Sequence, residues 1–267
     1  MKRVLLFLMI VGLNTTVFSQ KSENRSVSGF TGINASNTFD IKVTKGNSEK
    51  LTIEADNDVM QFVRSEVKNG ILHLYLDNSA GNIRDVKTLK ATIVMKNLDN
   101  VVLSGACKLT ANDVFTSDKF KIDCSGVSNL TVNVNTGQLS IETSGAAKIQ
   151  IKANVSGNSN LNVSGVSQIK GELKTADMKI NSSGASLVEL AGSATNIKLD
   201  LSGTARINAG NFAVKNANID SSGASNATVN VFDTLKVNSS GTATVNYKGS
   251  PTLEVNSSRI SKVKQIQ

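Results

Sequence analysis

From residue 104 onward the dipeptide Ser-Gly returns at a nearly fixed interval, and that interval constrains the fold more than any other feature of the chain. The glycines stand at Gly105, Gly126, Gly145, Gly165, Gly184, Gly203, Gly223 and Gly241, with spacings of 21, 19, 20, 19, 19, 20 and 18. One further pair, Ser156-Gly157, falls out of phase, and the ninth turn reads Ser258-Arg259 in place of Ser-Gly. A repeat of this length is one structural unit that cannot bury its apolar side alone, so copies must stack.

Alignment on the glycine turns the repeat into columns with the two-residue rhythm of a strand that has one buried face. Four residues before it stand Val101, Ile122, Ile141, Leu161, Ile180, Leu199, Ile219 and Val237; four after it stand Leu109, Leu130, Ile149, Ile169, Val188, Ile207, Ala227 and Val245. Both columns are expected inside. Two after the glycine every occupant is small, from Cys107 and Ser128 to Ala243, which suits an inward side chain at a tight corner. Serine precedes each glycine, which implies a stacked hydroxyl ladder beside a corner where positive φ or close backbone approach is needed.

The units are rich in β-branched residues and carry no amphipathic helical stretch or Leu/Asn signature, which excludes helical and leucine-rich repeats. Only 4% of the residues are aromatic and there is no Trp, so the core must be narrow and aliphatic. The expected fold is all-β: a right-handed parallel β-helix of about 20 residues per coil over residues 89–267, the hand following the usual crossover preference. Eight or nine coils at about 4.8 Å each give a rod on the order of 40 Å.

The N-terminal part departs from the repeat. Lys2, Arg3 and the apolar run Val4–Leu13, followed by Val17-Phe18-Ser19, read as a signal peptide over residues 1–19. The apolar run is too short to cross roughly 30 Å of hydrocarbon, so no stable membrane span is expected. Residues 20–28 read as a linker and 29–88 as a head segment that caps the first coil. Within the head, Phe39, Ile41 and Val43 alternate as a strand, and residues 50–55 form another. Asp58 to Val67 reads as one short helix with Asp58 as N-cap and Val59, Phe62, Val63 and Val67 on its apolar side. Asn69-Gly70 marks a tight turn into Ile71–Leu76.

Without Lys2 and Arg3 the chain keeps 27 basic residues against 21 acids, a charge of +6. The excess is spread along the sequence without an Arg-rich block or aromatic interleaving, which argues against nucleic acid as a partner. One His and two Cys leave little material for zinc sites, His-based triads or a disulfide framework, and no cofactor is expected.

At Phe30-Thr31-Gly32-Ile33-Asn34-Ala35, followed by Phe39-Asp40-Ile41-Lys42-Val43 and then the Ser-Gly coils, the chain resembles the bacterial putative auto-transporter adhesin, head GIN domain family. The resemblance covers nearly all of the expected mature chain. It implies a pectate-lyase-style β-helix without recognisable catalytic residues and a role in adhesion. The repeats leave no room after them for a translocator barrel, so self-secretion through an outer membrane is not expected.

Three residues before each glycine lies an outward polar ladder of Asp123, Glu142, Asn162, Asn181, Asp200, Asp220 and Asn238, continued by Asn256. Neighbouring acids, Asp123 with Glu142 and Asp200 with Asp220, would stand about 5 Å apart at the backbone. That spacing admits three readings: a solvated outer face with stacked asparagines, a ligand or Ca²⁺ site, or an acid/base pair for glycoside cleavage. No catalytic or metal-binding residue is assigned. Cys107 and Cys124 face inward on different sides of a corner, beyond the ~7 Å reach of a disulfide, and are expected as buried thiols. His73 opposes Leu72, Leu74 and Leu76 and is expected at the rim. The preferred function is an exported, non-enzymatic module for adhesion or envelope interaction, with a polysaccharide or a host or envelope surface component as partner, held by many modest contacts. Two alternatives stay open. One is a carbohydrate-active enzyme on the same scaffold; the other is a structural component that self-associates through the last coil, where Arg259, Lys262 and Lys264 would guard an edge.

Overall fold

Strict alternation of apolar and polar residues gives strand with one face in and one face out, and Lys148–Val155 shows it residue by residue, its Ile149, Ile151, Ala153 and Val155 buried and the rest exposed. The computed structural model describes residues 20–267 apart from 78, 80 and 82–85; the expected leader, 1–19, lies outside the described residues. The chain winds into a β-solenoid of about nine turns. Each winding has three straight runs, seen where Lys108–Ala111, Val114–Ser117 and Lys119–Cys124 lie parallel to Asn129–Val132, Asn133–Thr136 and Gln138–Thr143. The register sets like over like, Leu109 over Leu130 over Ile149 over Ile169. Both expected inward columns are no more than 2% exposed throughout. Each buried aliphatic side chain contributes about 1.5–3 kcal/mol, which makes these columns the main source of stability.

The Ser-Gly corner is fixed by backbone sterics. Gly126 has φ +67, and a Cβ there would lie 2.4 Å from the carbonyl oxygen of Gly105. The windings touch at this corner with no room for a side chain. The serines stand in single file: the N–H of Ser125 donates to Leu103 O, that of Ser144 to Cys124 O and that of Ser164 to Thr143 O, and the pattern continues to Ser258. The out-of-phase Ser156-Gly157 marks a second corner, where Gly157 stacks on Gly137 with 2.7 Å between a notional Cβ and the Gly137 oxygen.

The N-terminal segment is β1 (Gln20–Arg25), β2 (Gly32–Ala35), β3 (Asp40–Lys45), β4 (Lys50–Asp56), α1 (Asn57–Met60), β5 (Val63–Lys68), β6 (Ile71–Leu76), β7 (Leu89–Met95) and β8 (Asn100–Leu103). The Gly-Ile-Asn strand belongs to the solenoid itself. β2 runs parallel to β8, and β3 runs parallel to Lys108–Ala111, so residues 32–45 supply a winding of their own. Ser36-Asn37 takes the place of Ser-Gly in it: Asn37 has φ 68, and its carbonyl accepts from the N–H of Ala106 at 2.6 Å. Phe39 fills the position that is small in every later winding and is fully buried.

Beyond that winding the stack is closed by antiparallel strands. β6 and β7 lie parallel on β2 and β3, whereas β5 pairs antiparallel with β6, β4 with β7, and β1 with β4. The short helix is confined to Asn57–Met60, and its N-cap is Asp56. Residues 63–67, expected in that helix, are strand instead, because Asn69 and Gly70, with φ 51 and 74, form the two-residue turn of a β5–β6 hairpin. At the other end the described residues form no such closure. Thr252–Ser257 and Lys262–Gln265 each pair on one side only, and Leu253 and Val255 are 45% and 43% exposed.

Candidate functional site

Every winding bends out of its last straight run through the serine and glycine, so the corners build a ridge along the rod. Alongside it runs the outward column three residues before each glycine. Between the two lies an open trough of about 1270 Å³ that takes in all seven expected ladder residues, Asp123, Glu142, Asn162, Asn181, Asp200, Asp220 and Asn238, together with Asn256. The opposite wall is the serine file from Ser144 to Ser258. The sequence showed both columns; the bend that turns them into facing walls appears only when the windings are stacked.

Register places the acids as neighbours, Asp123 beside Glu142 and Asp200 beside Asp220. Amides tie the column together lengthwise: Asn181 Nδ2 donates to Asn162 Oδ1 at 2.7 Å and Asn238 Nδ2 to Asp220 Oδ1 at 2.8 Å. Lys179 and Lys198, from the next outward column, approach Asp200 at 3.9 and 3.6 Å from outside the trough. Among the described residues no Lys or Arg lines the trough, and no aromatic ring does. On the serine wall, Ser164 and Ser222 donate their hydroxyl protons to carbonyls of the preceding winding, at 2.9 and 3.2 Å, as Ser125 does at 3.4 Å just beyond the trough. Their oxygens are left as acceptors.

The crest of the ridge carries a feature that sequence patterning passed over. The residue after each glycine is small and apolar or Thr, and it projects outward; Val127 and Val166 are 60% and 69% exposed. Their N–H groups bond to the glycine carbonyl of the preceding winding at 2.7 Å, which turns the side chains away from the interior.

Chemistry elsewhere is sparse. Among the described residues no group of three or more His, Cys, Asp and Glu is placed to hold a metal ion, and no helix is long and apolar enough to cross a membrane. Cys107 and Cys124 are buried free thiols, and burial pushes the Cys124 thiol up to about 12. His73 is half-buried in the cap hairpin opposite Glu66. Glu66 itself is held below the ordinary carboxylate range by Lys68 and by the Tyr75 hydroxyl.

The sequence matches the family described as putative auto-transporter adhesin, head GIN domain, over residues 29–157 and 151–251. The chain belongs to this family. Solved structures with the same fold include a putative adhesin from Parabacteroides merdae, at 21% identity and TM-score 0.69, covering 93% of this chain and 96% of that one. A putative adhesin from Parabacteroides distasonis aligns at 18% identity and TM-score 0.71, covering 93% and 97%. A putative lipid binding protein from the same organism aligns at 13% identity and TM-score 0.65, again over 93% and 97%. None of the curated proteins matches the sequence. The Gly-Ile-Asn strand thus lies in the first winding of the solenoid in chain order, and this chain's Ser-Gly repeats are the ridge of the trough.

Proposed function

We propose that this head GIN domain protein is an exported, non-enzymatic adhesion module that holds a glycan or matrix polymer in the axial trough. The observation that carries the reading is the repetition of both walls, winding after winding, with no basic or aromatic group between them. A site built from one repeated polar step fits a ligand that is itself repetitive, and many modest hydrogen bonds then act together. Family membership supports a surface-binding role.

The test is retention of the protein on an array of polysaccharides and extracellular-matrix components, comparing wild type with Ser202→Trp, which fills the trough from the ridge side. Retention by wild type and loss in the variant support the reading; no retention on any component rejects it. Release of reducing sugar or unsaturated uronide that vanishes in Asp200→Ala or Asp220→Ala would replace it with an enzyme. Digestion of intact cells with an external protease checks export to the surface: the protein disappears if it is displayed and persists if it is not.

A further inference from the structure

The trough has a chemical polarity as well as a shape. Eight levels of the outward column run from Asp123 to Asn256, and four of them are carboxylates, as two neighbouring pairs. Among the described residues the cations paired with this column are Lys179 and Lys198, which meet Asp200 and do not line the trough. A polyanion entering the trough would bring its charges against Asp123, Glu142 and Asp220, where like charges oppose binding. The serine wall points the same way, because Ser164 and Ser222 use their protons on backbone carbonyls and offer oxygen lone pairs outward. The carboxylates and these two serines therefore ask for donors, while the asparagines of the column both donate and accept.

Resting on the polymer-binding reading above, we infer that the ligand is an uncharged, unbranched, extended glycan lying along the rod axis, its hydroxyls donating to the carboxylates and serines and pairing with the asparagine amides, with about one sugar per winding. The winding rise of about 4.8 Å is of the same order as one extended sugar residue, so the trough, on the order of 34 Å, takes roughly one sugar per winding without strict register. Without an aromatic platform each sugar gains little alone, so affinity must accumulate with chain length.

Calorimetric titration of the wild-type protein with cello-, manno- and xylo-oligosaccharides from dimer to octamer, beside oligogalacturonates of the same lengths, tests this. The expected result for at least one neutral series is a Kd that falls by a similar factor with each added sugar, insensitive to salt, with no binding of the uronates. Asp123→Ala combined with Glu142→Ala changes only outward side chains at one end. It should move the plateau to shorter oligomers by two sugars while leaving the gain per sugar intact. Tighter binding of the uronates, or neutral binding with no dependence on length, overturns the inference and leaves the trough as a polymer site of another kind. If Ser202→Trp abolishes retention on the array and all neutral series fail, only the assignment of the ligand falls; if the array itself shows no retention, the adhesion reading falls with it.

Discussion

At Gly165 the backbone stands at φ +72, and a Cβ would lie 2.4 Å from the carbonyl oxygen of Gly145. Gly165→Ala must therefore carry both the left-handed penalty of about 1–2 kcal/mol and a backbone shift. Gly210 is the control, since its nearest neighbour to a Cβ is a Thr228 methyl at 3.4 Å and its φ is ordinary. Urea unfolding should show Gly165→Ala losing more than about 2 kcal/mol and Gly210→Ala staying within about 0.5 kcal/mol of wild type. The Cys124 thiol makes a second residue-level prediction. Desolvation raises it from an ordinary 9.0 to about 12, so the folded chain holds this proton where the unfolded chain has released it. The stability it contributes is full below pH 9 and is lost as the pH rises toward 12. Unfolding midpoints of wild type should fall more steeply across that window than those of Cys124→Ala.

At the scale of the element, the repeat strands were legible because their alternation, their glycines and their register all agree. The cap was only partly so. Val59, Phe62, Val63 and Val67 have helical spacing, yet the Asn69-Gly70 turn commits residues 63–68 to the near arm of a hairpin, and that turn chemistry overrides the local period. The winding at residues 32–45 was hidden by two substitutions at its corner, Asn37 for glycine and Phe39 for a small residue. The two ends of the rod also differ in how they treat the same column. Leu235 and Leu253 are stacked partners, one fully buried and the other 45% exposed. Leu235→Ala should cost about 2–5 kcal/mol by loss of burial and a residual cavity, and Leu253→Ala less than about 1 kcal/mol, both read from denaturant midpoints. Hydrogen exchange should be faster in Thr252–Ser257 and Lys262–Gln265, which pair on one side only, than in the interior windings.

For the whole molecule, stability is close to a sum over neighbouring windings, since each contacts only the next. Deletion of residues 185–203, which runs from the residue after one glycine through the next, removes one repeat and leaves every column in phase. Such a variant should keep its far-ultraviolet dichroism and resist proteolysis. Deletion of residues 185–193 removes about half a repeat, sets apolar residues against the polar column and should abolish folding. Of the candidate site, the polar column was readable from the spacing alone. The facing wall was not, because a sequence alignment ranks serine and acid as separate columns and carries no information about the bend between them.

Both walls of the trough are encoded again in every winding. An in-frame duplication or loss of a single repeat at the level of the gene would therefore lengthen or shorten the trough without altering the chemistry at any one step. The span of such a surface can be adjusted by counting, with no need for new residues.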